Sequence, residues 1–73
     1  LNMKVLATFD NAFSANMAKG VLEAAGISAY VLDENMGIVA GIFNKDLLAI
    51  RLTVDDKDYE EAQRVLAASP NAE

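Results

Sequence analysis

The most regular alternation of hydrophobic and polar positions runs through residues 47–54. Its larger apolar residues alternate with smaller or polar ones, namely Leu48, Ile50, Leu52 and Val54 against Ala49, Arg51 and Thr53. A period of two is typical of a strand that packs one face on a core and leaves the other face at least partly wet. Because helix-like segments lie on both sides of it along the chain, we predict that this stretch is the central strand of a small sheet.

The segment before it predicts a strand, a helix and a second strand. Residues 4–9 alternate, with Val5, Ala7 and Phe9 on one face and Lys4, Leu6 and Thr8 on the other. Asp10 or Asn11 can cap a helix over residues 12–25, because either side chain can accept a hydrogen bond from an amide of the first turn. Gly26 is placed to end that helix in the left-handed conformation. Residues 27–32 then predict the second strand.

The helix over residues 12–25 has an apolar stripe with helical spacing. Four residues, three or four positions apart, form the stripe and three more widen it: Ala15, Ala18, Leu22 and Ala25, then Met17, Val21 and Ala24.

After the central strand, an acidic stretch begins the second helix. Asp55, Asp56 and Asp58 suit the positive end of a helix dipole. The helix runs to about Ala68, and its buried stripe consists of Tyr59, Ala62, Val65 and Leu66. Pro70 stops it, and residues 70–73 are expected to form a frayed tail.

The order strand, helix, strand, strand, helix predicts an α+β fold with a three-stranded antiparallel sheet. The central strand fills the gap that a βαβ crossover leaves, which gives a split βαβ, β-α-β-β-α, of ferredoxin-like type. Both helices would cover one sheet face. The first strand would keep an open edge, and an open edge is a template for pairing with another chain. We therefore expect a second copy, or its loop, to cover that edge.

Length and composition point to an interface. At 73 residues the chain is a single domain, 1–73, and a chain of this size buries only roughly 60% of the surface that its unfolded form exposes. Yet 53% of its residues are apolar, so some of them must lie on the surface. Leu1 and Asn2 precede Met3 and are either a cloning remnant or a non-standard start, so we set them aside.

The net charge and the missing residue types exclude several functions. The net charge is −5, whereas general binding to a nucleic-acid backbone needs a basic footprint. The chain has no histidine and no cysteine, which removes the usual proton shuttle, the commonest metal ligand and the thiol nucleophile. No secretory signal and no stretch of roughly 20 apolar residues is present, so we expect a cytoplasmic protein without a membrane span. We predict no enzyme, no metal and no cofactor.

Three weak chemical signals have plainer explanations. Asp55, Asp56 and Asp58 could hold Mg²⁺ or Ca²⁺ through their oxygens, but helix capping explains them. Asp33, Glu34 and Asn35 with Gly37 resemble a calcium loop only faintly, because the spacing does not match, and a solvated turn is favoured. Gly37 and Gly41 could approach a phosphate but match no phosphate-binding motif.

Two surfaces remain as candidate functional sites. The first is the apolar segment within residues 36–46, since an apolar loop should be covered by something; its candidate interface residues are Ile38, Val39, Ile42 and Phe43. The second is the sheet face away from the helices, where the alternation places Lys4, Leu6, Thr8, Tyr30, Leu32, Arg51 and Thr53. On that face Lys4, Tyr30 and Arg51 could meet a ligand or a partner. A one-residue slip would exchange the two faces.

Four short segments resemble one bacterial family. They are Ala-Thr-Phe-Asp before the first helix, Leu22 to Ile27 at its end, Asp33-Glu34-Asn35 after the second strand, and Ile50 to Val54 before the acidic second helix. The family is small, of unknown function, described as putative prokaryotic signal-transducing proteins and distantly similar to PII regulators. The resemblance covers nearly the whole chain. It implies a ferredoxin-like fold and a regulatory role, and it implies no catalytic residues. The chain departs from the family at Leu48-Ala49, where members often have two glycines.

These observations favour a non-catalytic regulatory module that binds another protein and forms a homodimer, with the signalling role resting on the resemblance. The alternative is a small-ligand sensor that binds a nucleotide or another anion near Arg51, Tyr30 and Lys4. An enzyme based on a lysine or a carboxylate is a third hypothesis.

Overall fold

The computed structural model of the chain describes residues 2–33 and 50–69. The described elements are β1 (Met3–Phe9), α1 (Ala12–Ala24), β2 (Ala29–Asp33), β3 (Ile50–Asp55), a 3-10 turn (Asp56–Asp58) and α2 (Tyr59–Ala68). This order confirms the predicted β-α-β-β-α arrangement.

The three strands form one antiparallel sheet in the order β1-β3-β2. The strand built on Ile50, Leu52 and Val54 is therefore central, as its alternation predicts. Because β1 and β2 both run antiparallel to β3, they are parallel to each other and are split by it. Both helices pack on one face of this sheet, so the molecule has the predicted α+β architecture.

Helix α1 begins and ends where local chemistry predicts. The side chain of Asn11 accepts a hydrogen bond from the amide of Ser14 at 2.7 Å and caps the first turn. At the other end Gly26 has a φ of 84°, a conformation that an L side chain resists. The amide of Gly26 donates to the carbonyl of Glu23, and that of Ile27 donates to the carbonyl of Leu22. This pair of bonds is the Schellman motif, and it satisfies two carbonyls that the helix end would otherwise leave without partners.

The core lies between the helices and the sheet. Leu22, Leu52 and Val54 are its largest fully buried side chains, and Ala18 of α1 and Ala62 of α2 are equally buried beside them. Leu6, Phe9, Val31, Tyr59, Val65 and Leu66 are half-buried around this cluster. The predicted stripe of the second helix is thereby confirmed.

The predicted stripe of α1 is too wide. Ala15, Ala18 and Leu22 are buried, whereas Met17, Ala24 and Ala25 are exposed. At about 100° per residue, Met17 lies roughly 200° around the helix from Ala15, which places it opposite the core. Phe13 lies on the same outer side and is 75% exposed.

Strand β1 contains a bulge that changes the predicted faces. Val5 pairs with Thr53 but Ala7 pairs with Leu52, so Leu6 is an extra residue on β1. A bulge shifts the alternation by one position. The prediction that Lys4 and Leu6 share the open face with Tyr30 and Arg51 is therefore wrong: Lys4 pairs with the core residue Val54, and Leu6 packs against the core.

Candidate functional site

The sheet face away from the helices is the candidate site, and the strand register defines it. Residues directly opposite each other in an antiparallel pair point to the same side of the sheet. Thr53 lies opposite Val5 and Tyr30, Arg51 lies opposite Thr8 and Leu32, and Asp55 lies opposite Met3. We refer to these residues as the open sheet face; they are Met3, Val5, Thr8, Tyr30, Leu32, Arg51, Thr53 and Asp55.

Large apolar side chains are concentrated on the open sheet face. In the described part of the chain six large apolar side chains are exposed, and four of them lie here: Met3 (43%), Val5 (44%), Tyr30 (52%) and Leu32 (46%). The other two, Phe13 and Met17, lie on the outer side of α1. The four on the open sheet face lie on the two outer strands, on either side of β3. Exposed apolar side chains gathered on one face mark a contact surface more often than scattered ones do.

Thr53 occupies the centre of the open sheet face and is only 3% exposed. Its hydroxyl donates a hydrogen bond to the backbone carbonyl of Tyr30 at 3.2 Å. The larger side chains on either side, Val5 and Tyr30, flank it on the two outer strands. The buried hydroxyl is thus satisfied within the sheet, and the surface above it is apolar.

Charges of opposite sign lie near the two ends of β3 on this face. Arg51 is half-buried, and it interacts within its own chain. Asp55, four residues further along, accepts a hydrogen bond from the amide of Lys57 at 3.4 Å and so caps the 3-10 turn. Asp58 makes no side-chain capping bond. The open sheet face is therefore basic towards one end and acidic at the other.

An open groove of about 500 Å³ lies over the acidic half of this face. Its lining residues are Met3, Ser28, Tyr30, Leu32, Thr53, Asp55, Lys57 and Asp58. Most of the apolar part comes from Met3, Tyr30 and Leu32. The groove therefore combines an apolar surface with the two carboxylates of Asp55 and Asp58 and the ammonium of Lys57.

Lys4 lies on the opposite side of the sheet, beside α2. Its ammonium is 4.2 Å from the centre of the Tyr59 ring and 4.0 Å from a carboxylate oxygen of Asp56. The structure thus brings Tyr30 and Arg51 together on one face and removes Lys4 from it. The functional use of these residues stays a prediction.

The acidic stretch after β3 is used locally. Asp55 caps the turn as predicted for this stretch, and Asp56 faces Lys4. Among residues 2–33 and 50–69, no group of three or more acidic side chains is arranged to hold a metal ion.

The sequence alone does not show that Met3 and Val5 belong to the open sheet face, and it leaves out Asp55 because the predicted strand ends at Val54, one residue short of the end of β3. The bulge at Leu6 places Val5 there, and alternation alone cannot show a bulge. The predicted interface residues Ile38, Val39, Ile42 and Phe43, and the glycines Gly37 and Gly41, lie outside the described residues. In the described ranges, neither helix has the length and apolar character needed to cross a bilayer.

Comparison with known proteins identifies the family. Neither a search of curated proteins nor a search of solved structures found a significant match. A family model described as "Putative prokaryotic signal transducing protein" matches residues 3–69, which is nearly the whole chain and includes both helices and all three strands. The resemblance carried by the four short segments is thereby confirmed, and the chain belongs to the family that carries this description.

Proposed function

We propose that the chain is a non-catalytic regulatory module in signal transduction that works by binding proteins through the open sheet face, and that one of these proteins is a second copy of itself. The observation that supports this most is the grouping of Met3, Val5, Tyr30 and Leu32, each between 43% and 52% exposed, on one face of the sheet. The family description agrees with a signalling role.

A second copy is a suitable occupant because it offers the same apolar side chains, so the open sheet face can pack on itself. Sheets pack face to face about 10 Å apart, with side chains of the two inner faces interdigitating. Three strands of seven, five and six residues, about 4.8 Å apart, give a patch of only roughly 300 Å² in projection. Standard interfaces bury about 800 Å² from each partner. We therefore expect a weak, reversible dimer with a Kd of roughly 10 μM to 1 mM.

The non-catalytic part of the proposal rests on the residues that the chain offers. The chain has no histidine and no cysteine, so proton transfer and nucleophilic attack would depend on carboxylates, lysines or hydroxyls. On the open sheet face the buried hydroxyl of Thr53 donates to the Tyr30 carbonyl, and the Asp55 carboxylate caps a turn. These groups have structural partners, which favours a binding surface.

The test is sedimentation equilibrium across concentrations up to about 1 mM, a range that spans the expected Kd. Leu32→Gln should weaken self-association about tenfold or more, because it places an amide in the apolar patch. Met17→Gln is the matched control, since Met17 is 41% exposed on α1 and Leu32 is 46% exposed on β2. It should leave the Kd unchanged.

Two outcomes would count against self-association through this face. The first is a wild-type chain that stays monomeric over the whole concentration range. The second is an equal change of the Kd in Leu32→Gln and Met17→Gln. A heterologous protein partner would then be the only remaining form of the interaction proposal.

A second candidate function is a small-ligand sensor, and the groove beside Tyr30 supports it. Its volume of about 500 Å³ is within the range of about 300–1,000 Å³ typical of ligand pockets. Its wall holds two carboxylates, Asp55 and Asp58, against one ammonium, Lys57, which disfavours a nucleotide or another anion. Lys4 lies on the other side of the sheet. An amide NMR titration with nucleotides, 2-oxoglutarate and Mg²⁺ tests this function. Saturable shifts confined to the surroundings of Tyr30 and Thr53 would support a sensor.

A further inference from the structure

The open sheet face carries its two charged ends on the same strand. Arg51 and Asp55 both belong to β3 and both point to this face, four residues apart. At about 3.3 Å per residue their Cα atoms are roughly 13 Å apart, with Thr53 midway between them. Asp58 and Lys57 line the groove near the Asp55 end and add one carboxylate and one ammonium, so Asp55 sets the sign of the charge there.

We propose that two copies pack with their open sheet faces together around a two-fold axis that crosses β3 at Thr53, at right angles to the strand. This proposal rests on the self-association proposed above and adds its geometry. Such an axis reverses the strand direction, so Arg51 of each copy faces Asp55 of the other. Both contacts are identical, as an isologous interface requires.

A two-fold axis in the plane between the two faces could also run parallel to β3. Charge complementarity favours the axis at right angles to the strand. An axis parallel to β3 would keep the strand direction and set Arg51 against Arg51 and Asp55 against Asp55. Like charges set against each other across an interface are strongly unfavourable. The axis at right angles to β3 instead sets opposite charges together at both contacts. The strands of the two sheets then stay within about 30° of each other, as in aligned sheet packing.

The apolar residues agree with the same axis. Val5 and Tyr30 are the cross-strand neighbours of Thr53, so they lie on the line of the axis. Each would meet its own counterpart in the second copy, which places a pair of half-exposed Tyr30 rings side by side. Offset or edge-to-face contacts between aromatic rings are favourable. Arg51 also interacts within its own chain, so the contact with the second copy is shared with an existing one.

The test reverses one charge and then mixes variants. Arg51→Glu sets two glutamates against two aspartates, so its homodimer should bind about tenfold or more weakly than the wild type. The Asp55→Lys homodimer should be weakened similarly, because it sets two lysines against two arginines. An equimolar mixture of Arg51→Glu and Asp55→Lys should restore a Kd close to that of the wild type, because both contacts of the mixed dimer are attractive. Sedimentation equilibrium of each chain and of the mixture measures this.

A second mixture keeps the test valid if Asp55→Lys disturbs the 3-10 turn that Asp55 caps. Wild type with Arg51→Glu has one attractive and one repulsive contact, so its Kd should lie between those of the two homodimers. If the axis were parallel to the strand, this mixture would instead be the tightest of the three, and the proposal would be overturned. Far-UV circular dichroism checks that each variant is folded.

The outcomes separate this inference from the proposed function. A wild-type chain that never self-associates overturns both the proposed self-association and the proposed two-fold axis. Wild type that self-associates and is weakened by Leu32→Gln, but is not weakened by Arg51→Glu or forms its tightest dimer with Arg51→Glu, overturns only the axis at right angles to β3. The interaction surface then stays in place.

Discussion

Both faces of the sheet carry large apolar side chains, but these are buried on one face and exposed on the other. On the helix side Leu52 and Val54 are fully buried, whereas on the open side Tyr30 is 52% and Leu32 is 46% exposed. Helices α1 and α2 make the difference, since both pack on the first face. In residues 2–33 and 50–69, no helix packs on the other face. Hydrophobicity thus marks both faces as contact surfaces, and the fold decides which of them is completed within the chain.

Truncation of a central residue on the helix side should have the largest effect. Leu52→Ala removes a fully buried side chain from the middle of the core, which costs about 2–5 kcal/mol. A domain of this size has a stability of only roughly 3–5 kcal/mol, so most of the variant should be unfolded at 25 °C. Urea denaturation followed by circular dichroism measures the change.

The matched variant on the open side is Leu32→Ala. Leu32 lies on the neighbouring strand and is nearly half exposed, so we expect the free energy of unfolding to change by less than about 1 kcal/mol at a concentration where the chain is monomeric. Equal losses for the two variants would mean that the open sheet face is covered within the chain, contrary to the comparison of the two faces.

A smaller effect is expected at Thr53, the one buried residue of the open sheet face. Thr53→Val keeps the shape and removes the hydroxyl that donates to the Tyr30 carbonyl, and the loss of one such bond costs about 1 kcal/mol. Thr8→Val is the control, because Thr8 is exposed on the same face. Thermal unfolding should separate them, and an unchanged midpoint for Thr53→Val would show that the bond contributes nothing net.

The elements that the sequence predicts correctly are those with a local cause. Asn11 caps α1 through its own side chain, and Gly26 ends it because only glycine takes the left-handed conformation without strain. The alternation of Ile50, Leu52 and Val54 needs no knowledge of distant residues either. Capping, turn chemistry and period were therefore sufficient for the order of elements and the central position of β3.

What the sequence does not predict depends on pairing between distant strands. The bulge at Leu6 exists only relative to β3, and it moves Val5 to the open sheet face and Lys4 to the helix side. Asp55 instead shares the face of Arg51 by alternation within β3, and it is absent from the predicted face because the predicted strand ends at Val54. A stripe drawn on α1 by spacing alone also included Met17, because apolar character does not show which residues of a helix contact the sheet.

The smallest expected effect tests where the structure places Lys4. With its ammonium 4.2 Å from the centre of the Tyr59 ring, Lys4 should stabilise the fold by about 0.5 kcal/mol through a cation–π contact at a half-exposed site. A double-mutant cycle with Lys4→Met and Tyr59→Leu isolates this coupling, because the first change keeps an unbranched stem without the ammonium and the second keeps an apolar side chain without the ring. Urea denaturation of the four proteins gives the coupling energy. In sedimentation equilibrium Lys4→Met should leave the Kd of self-association unchanged, since Lys4 is not on the open sheet face. If Lys4→Met abolished self-association and the coupling to Tyr59 were zero, Lys4 would have to lie on the open sheet face. The bulge at Leu6 would then be wrong.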